Sequence, residues 1–352
     1  MKPMKKKKLL FICGSLNQTT IMHQIAKNLM NEYDCWFTPY YADGFVSFIE
    51  RLRLIDFTIV GNGKFRQQTL AYFKTHNLQI DFKGEKYNNE YELVFTCQDL
   101  IIPKNILDKK VILVQEGMTD PENFPYYLVK YLKFPRWSAS TSTTGMSNQY
   151  TYFCIASEGY REIFIKKGAD PDKMIVTGIP NFDNVRQFLD NDFPHKDYLL
   201  VATSDMRETW RFENRKKLIK RAVEIADGKK IIFKLHPNEN VARATKEIKK
   251  YAPGALVFPN GNTNHMIANC SALLTRYSSV IFVAKALGKK VYSDIPNEEL
   301  EKLTPIQNNG ISAIRIAQIG KSLIEEPEVN SLKLHEEFKF KNVLVHQETD
   351  IL

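Results

Sequence analysis

Ile231-Ile232-Phe233-Lys234-Leu235-His236-Pro237 is an apolar, β-branched run that stops at polar groups, and apolar residues at helical spacing resume from Val241. Further along, Ala272-Leu273-Leu274 ends the same way at Thr275-Arg276-Tyr277-Ser278-Ser279, again with a helical pattern behind it. A strand that ends in a polar loop and returns through a helix is half of a βαβ unit. Repetition of that unit gives a parallel sheet with right-handed crossovers. In open sheets of this kind, ligands bind outside the carboxyl ends of the strands. Two serines at a helix start also offer hydroxyls and unpaired backbone N–H groups to an anion. These two strand ends therefore predict a phosphate-binding edge carrying His236, Ser278 and Ser279. The plainer alternative is a strand-end histidine and a serine N-cap.

The same alternation runs through the chain on both sides of this region. In the first half the pattern predicts strands at 8–13, 35–38, 57–60, 93–96, 111–114, 152–156 and 173–177. Helices are expected at 19–31 and 45–54, and another is opened by Ser157 as N-cap and closed by Gly168. Asn191-Asp192-Phe193-Pro194-His195-Lys196-Asp197 is polar, carries one proline, and reads as a linker. Beyond it come expected strands at 198–202, 230–235, 272–275 and 290–292, with helices at 214–226, 241–251, 263–269, 278–287 and 313–324. The expectation is an α/β protein of two Rossmann-like domains, with parallel sheets facing a central cleft. The first domain is expected at 1–190 and the second at 191–330. A tail at 331–352 is expected to return to the first domain.

A chain of 352 residues suits two domains, and a hydrophobic fraction of 43% with 25% charged residues is that of a soluble globular protein. Cys13, Cys35, Cys97, Cys154 and Cys270 are scattered with no Cys-x-x-Cys pair, which predicts buried reduced thiols and argues against a disulfide framework or a zinc site. No metal is expected. The basic start is followed by an apolar run too short for a signal peptide, and no stretch is long enough to span a bilayer, so the expected location is the cytoplasm. A net charge of +9 favours polyanionic partners. Zinc-finger, RNA-recognition and helix-turn-helix signatures are missing, which argues against nucleic acid. An anionic lipid surface is the remaining candidate: Lys2, Lys5 to Lys8 and Lys130-Tyr131-Leu132-Lys133-Phe134-Pro135-Arg136-Trp137 mix cations with aromatic rings. A solvated basic face is the alternative.

Three loops carry candidate chemistry. Gly14-Ser15-Leu16-Asn17-Gln18 follows the first strand and precedes a helix, with Gly14, Ser15 and Gln18 as substrate-contact candidates and a glycine turn plus an N-cap as the alternative. It lacks both the three glycines of a dinucleotide fingerprint and the phosphate-loop lysine, which argues against NAD, FAD and a phosphate-loop NTPase. Gln115-Glu116-Gly117-Met118-Thr119-Asp120-Pro121-Glu122 follows another strand. A carboxylate at a strand end, beside a glycine that permits close approach, suits a general base. Glu116 is the first choice, with Asp120 and Glu122 in reserve; the alternative is an acid that caps the helix from Phe124. Thr203-Ser204-Asp205-Met206-Arg207 ends the first strand of the second domain. There Thr203 and Ser204 are candidates for phosphate and Arg207 for its charge, with Trp210 or Phe212 as a candidate to stack on a base; the alternative, which the pattern favours, is a structural loop with core aromatics.

The second half resembles the GT-B superfamily of glycosyltransferases and the UDP-N-acetylglucosamine 2-epimerases that share its fold. Lys234-Leu235-His236-Pro237-Asn238-Glu239-Asn240-Val241 resembles the epimerase His-x-Asn-x-Asn-Val segment, and 277–291 its Ser-Gly-Gly…Leu-Gly-Lys-Pro-Val segment. Asn309-Gly310-Ile311-Ser312-Ala313 resembles the closing loop and helix. Cys154-Ile155-Ala156-Ser157-Glu158-Gly159 and Val176-Thr177-Gly178-Ile179-Pro180-Asn181-Phe182-Asp183 resemble segments of epimerases and CDP-glycerol glycerophosphotransferases. The likeness covers 111–324. The epimerase Glu pair that holds the ribose falls here on Phe282 and Val283, and the double glycine on Ser278-Ser279. A His-Pro, Ser-Ser and acidic-Gly set is similar instead to transferases with cytidine-linked donors, such as bacterial sialyl- and Kdo-transferases.

That resemblance implies an inverting, metal-independent glycosyltransferase without cofactor, taking a nucleotide-sugar, preferably cytidine-linked, as donor. Its acceptor would be a bacterial surface glycan, free or lipid-linked, with the enzyme peripheral on the inner face of the cytoplasmic membrane. Glu116 would be the base, and His236, Ser278 and Ser279 would contact the donor phosphate. An epimerase-like enzyme and a non-catalytic nucleotide-sugar-binding protein are the rival expectations.

Overall fold

The computed structural model describes residues 5–208 and 212–326. They form two compact units: 5–183 together with 308–326, and the described residues of 184–307. In the first unit, β1 (Lys8–Cys13), α1 (Leu16–Lys27), β2 (Asp34–Pro39), α2 (Gly44–Arg51), α3 (Lys64–Thr75), β3 (Tyr91–Thr96) and β4 (Lys110–Val114) follow in order. They are succeeded by α4 (Phe124–Leu132), β5 (Tyr152–Ile155), α5 (Glu158–Lys167) and β6 (Met174–Val176). The six strands pair in the order β2-β1-β3-β4-β5-β6, every pair parallel. β1 is buried along its whole length, as a strand covered on both faces requires. Phe11 lies opposite Phe37 on β2 and Phe95 on β3, with ring centroids at 5.1 and 4.8 Å, so one aromatic row crosses three strands. Truncating any one of these buried rings would cost about 3–5 kcal/mol.

The second unit contains β7 (Leu199–Ala202), α6 (Arg215–Ala226), β8 (Ile231–Lys234), α7 (Val241–Tyr251), β9 (Leu256–Phe258) and α8 (Thr263–Asn269). β10 (Ala272–Leu274), α9 (Val280–Ala286), β11 (Lys290–Tyr292) and α10 (Asn297–Leu303) complete it. Its parallel strands run in the order β11-β10-β7-β8-β9. Leu218, Ile219 and Ala222 of α6 and Ala244 and Ile248 of α7 bury against Val201 and Phe233. That is the apolar stripe expected of a helix on a sheet face.

α11 (Ser312–Glu325) was expected in the second domain but belongs to the first unit. Its first turn is held by Asp183, whose Oδ2 accepts from Ser312 N at 2.7 Å, and by Ser312 Oγ, which donates to Thr177 O at 2.9 Å. Gly320 meets the sheet so closely that a Cβ there would lie 2.7 Å from Phe95 Cζ. The expected boundary at 190/191 falls instead at 183/184. Residues 191–197 are part of the second unit, because the Phe193 ring packs on Tyr198 and Phe258 and Asn191 Oδ1 accepts from Asn269. The tail at 331–352 lies outside the described residues.

One expected strand is not a strand. Residues 57–60 belong to a bent segment that folds around Asp56, whose Oδ1 accepts from Asn62 N at 3.0 Å and whose Oδ2 pairs with Arg53. Gly61 and Gly63 pass so close to the backbone of Ile55 and Asp56 that a Cβ on either would clash at about 2 Å. A short apolar run has β periodicity whether or not a sheet edge accepts it. All five cysteines are buried and unpaired, and no helix among the described residues is long and apolar enough to cross a membrane.

Candidate active site

Each sheet has a point where successive crossovers leave in opposite directions. In the first unit β1 leads outward to β2 while β3 leads the other way to β4, so the reversal lies between the ends of β1 and β3. In the second it lies between β7 and β10. Ligands of open α/β sheets bind at such reversals.

At the first reversal the Gly14–Gln18 loop and Glu116 come together across the end of β3. Ser15 caps α1 through its hydroxyl, which accepts from Gln18 N at 3.2 Å and donates to Glu116 Oε1 at 2.9 Å. Asn17 Nδ2 donates to the same oxygen at 3.1 Å, and Gln18 Nε2 donates to Glu116 Oε2 at 2.5 Å. Gln18 is itself fixed, because its Oε1 accepts from Gly14 N at 3.0 Å. A side chain at position 14 would strike that oxygen, since a Cβ there would lie 2.3 Å from it. The carboxylate of Glu116 is therefore aimed by three neutral donors from one helix start, yet stays partly open to solvent. Gln115 is buried beneath it and braces the strand end, donating to Gly117 O and accepting from Ala156 N.

Asp120 and Glu122 are not in this cluster. Asp120 is bound to Thr141, whose hydroxyl donates to Asp120 Oδ2 at 3.0 Å and accepts from Asp120 N at 2.9 Å. Glu122 is exposed, and the cap of α4 is Asn123. Two contributors stood in quoted segments without being assigned a role. Asn17 lies in the Gly14–Gln18 loop, and Asn181, in the loop after β6, donates to Asn17 Oδ1 at 2.6 Å and to Thr20 Oγ1 at 2.9 Å.

The second unit divides its candidates into two groups. Thr203, Ser204 and Arg207 are engaged by protein carboxylates. Thr203 Oγ1 donates to Glu239 Oε2, and Ser204 Oγ donates to Glu213 Oε1 at 3.2 Å. Arg207 grips both oxygens of Glu247 at 2.9 Å. Arg215 completes the network with ion pairs of 2.7 Å to Glu213 and to Glu239. Burial opposes the charge on Arg207, but hydrogen bonding to Glu247 and the nearness of Glu213 and Glu239 outweigh it and raise its pKa. Burial holds Lys234 below its ordinary value, with Glu239 partly offsetting the effect. Glu213, Glu239 and Arg215 were not expected; only Glu239 lay in a quoted motif.

The other group keeps free functional atoms. His236 N is anchored to Thr203 Oγ1 and Glu239 Oε2, both at 3.1 Å, while the ring points outward and its Nδ1 lies 3.6 Å from Asp205. Among the described residues, His236 Nε2 and the hydroxyls of Ser278 and Ser279 have no hydrogen-bond partner. Ser279 precedes α9 without capping it through its side chain. Arg276, next to these serines, reaches from the end of β10 to Met206 in the loop after β7 and pairs with Asp294 at 2.8 Å. Beside it lies a hollow of about 380 Å³ whose wall includes Arg276, Arg221, Lys217 and the exposed ring of Phe212. Trp210 lies outside the described residues. Phe282 and Val283, at the positions of the epimerase Glu pair, are fully buried in α9. Among the described residues no group of three or more His, Cys, Asp or Glu could hold a metal ion.

No protein-family model and no curated protein matches the chain. Solved structures do. A putative UDP-N-acetylglucosamine 2-epimerase from Listeria monocytogenes matches with a TM-score of 0.59 at 15% identity, over 91% of this chain and 97% of that one. The wall teichoic acid polymerase TagF matches at 0.53 and 14% identity, over 92% and 90%. The UDP-GlcNAc 2-epimerase from Neisseria meningitidis, bound to UDP-GlcNAc, matches at 0.53 and 15% identity, over 93% and 94%. At these identities the likeness is one of fold: the α/β, two-sheet GT-B fold that the sequence resemblance implied.

Proposed function

We propose that the chain is a GT-B glycosyltransferase that moves a sugar from a nucleotide-activated donor, cytidine-linked by preference, to a surface-glycan acceptor. The observation that carries this reading is the aiming of Glu116 by Ser15, Asn17 and Gln18 at the reversal of the first sheet. A base that deprotonates an acceptor hydroxyl must be held in one place, and three donors from a capped helix start do that. Direct attack with Glu116 as base gives inversion at the anomeric carbon. In this reading the leaving phosphate is met by His236 Nε2 and the hydroxyls of Ser278 and Ser279, which have no hydrogen-bond partner among the described residues, and these donors stabilise its developing charge. The nucleoside lies toward the hollow beside Arg276, where Phe212 offers an aromatic face. The buried, apolar Phe282 and Val283 offer no carboxylate to a ribose, which favours a donor other than the epimerase substrate.

The acceptor unit also supplies a membrane contact in this reading. Phe124, Tyr131, Leu132, Phe134 and Trp137 are exposed beside Lys130, Lys133 and Arg136. The N-terminal lysines are less available: Lys5 and Lys8 share Glu90, and Lys6 Nζ is bound to Asn31 O. This surface supports the reading of a cytoplasmic enzyme that is peripheral at an anionic leaflet.

Calorimetric titration with CMP, CDP, UDP and GDP tests the donor, and incubation with UDP-N-acetylglucosamine tests the chemistry. Tightest binding by a cytidine nucleotide and no N-acetylmannosamine product are expected. Tighter UDP binding with epimerised product would put the epimerase reading in its place. Binding without turnover of any donor would leave a nucleotide-sugar-binding protein.

A further inference from the structure

The first unit holds a second hollow, of about 500 Å³, that shares no residue with the Glu116 cluster. The loop after β2, the start of α2 and two short turns at Phe82–Gly84 and Lys104–Ile106 enclose it. A cavity of this size is typical of small-molecule sites. Three cations line it: Arg51, Lys83 and Lys104. Their charged groups have no ion pair or hydrogen bond among the described residues. The nearby Glu50 does not serve Arg51, because it pairs with Arg66 at 2.7 Å.

The backbone around these cations is fixed at some conformational expense. Lys83 sits at φ +57°, a left-handed conformation that a side chain disfavours. It is stapled there on both sides, by Lys83 N donating to Thr38 Oγ1 at 2.8 Å and by Asn105 Nδ2 donating to Lys83 O at 2.9 Å. Tyr41 locks Asn105 in turn, at 3.0 Å. Lys104 N donates to Asp43 Oδ2 at 2.6 Å, so one of the two lining carboxylates is already occupied by backbone rather than by a lysine. Glu85 and Asn88 complete the polar wall.

This mixture discriminates between ligands. A bare anion has no use for Glu85, and a neutral sugar has none for three unpaired cations. A molecule with one phosphate and several hydroxyls satisfies both sets: phosphate against the cations through charge-assisted bonds, hydroxyls against Glu85 and Asn88. We propose that this hollow binds a phosphate ester of a sugar or polyol. The site stands apart from the transferase reading and does not depend on it.

Titration calorimetry on the full chain tests it with glycerol 3-phosphate and glucose 6-phosphate, against glycerol, glucose and inorganic phosphate. We expect an ester to bind, the unphosphorylated compounds not to, and inorganic phosphate to bind at least several-fold more weakly. Lys83→Ala with Lys104→Ala should weaken the ester by about tenfold or more, Arg51→Gln by less, and the paired Arg substitutions should retain it. Circular dichroism melting controls for folding. No ester binding to the native chain, or binding unchanged in the double Ala variant, overturns the proposal. Inorganic phosphate binding as tightly as both esters also overturns it, leaving a simple anion patch. Because these probes carry no nucleotide, a failure here and a failure of the donor reading register separately.

Discussion

The carboxyl edges of the two sheets are built on opposite electrostatic plans. In the first unit the Glu116 carboxylate is surrounded by neutral donors and, among the described residues, has no cation paired to it. In the second, Arg207 and Arg215 are matched by Glu213, Glu239 and Glu247 before any ligand arrives. A positive side chain at a strand end is therefore not by itself a phosphate ligand. Once its charge is spent on buried carboxylates, its role is to hold the loops in place, and the ligand is left to the groups that remain unpaired. In the proposed function that contrast leaves the chemistry to Glu116, His236, Ser278 and Ser279, and gives Arg207, Arg215 and Glu239 the holding of the loops.

The largest effect should come from Glu116→Gln. It preserves shape while removing the proposed base, so kcat for donor turnover should fall by about 10²–10⁴-fold, with CDP affinity unchanged. A loss in affinity with kcat preserved would move Glu116 from the chemistry to the binding of substrate.

Glu239→Ala attacks the other plan. It strips the buried Arg215 and the Thr203 hydroxyl of a common partner, and breaking a buried ion pair from one side costs about 3–5 kcal/mol. Urea denaturation reads that loss directly. A change below about 1 kcal/mol would mean that the network is not what organises this edge.

His236→Ala should weaken nucleotide binding by about 1.5–3 kcal/mol, the worth of a hydrogen bond to a charged group, with little change in stability. Arg207→Ala should do the reverse, lowering stability more than affinity. If Arg207→Ala proved the more damaging to nucleotide binding, the division of the second edge into free and spent groups would collapse.

The smallest effects concern the surface at 124–137. Each cation near an anionic leaflet contributes about 1 kcal/mol within a Debye length of roughly 8–10 Å. Co-sedimentation with phosphatidylglycerol vesicles at low salt should be lost at high salt and reduced by Lys130→Glu with Lys133→Glu. Absence of sedimentation at low salt would leave this face merely solvated.

The alternation of apolar runs and helical stripes determined the fold class and most elements, because a strand covered on both faces must be apolar throughout and a covering helix must carry one apolar stripe. It also located the loops that hold Glu116, His236 and the two serines, since a parallel sheet presents its strand ends together. Local pattern could not decide which apolar run finds a sheet edge, so 57–60 reads as a strand although Asp56 and two glycines fold it into a bend. It could not return α11 to the first unit either, because Asp183 and the closely approached Gly320 act across a sequence separation that periodicity does not see. Nor could it tell a free arginine from a spent one. That depended on Glu213, Glu239 and Glu247 meeting Arg207 and Arg215 in space, and charge pairing is decided by distance, which only the tertiary structure supplies.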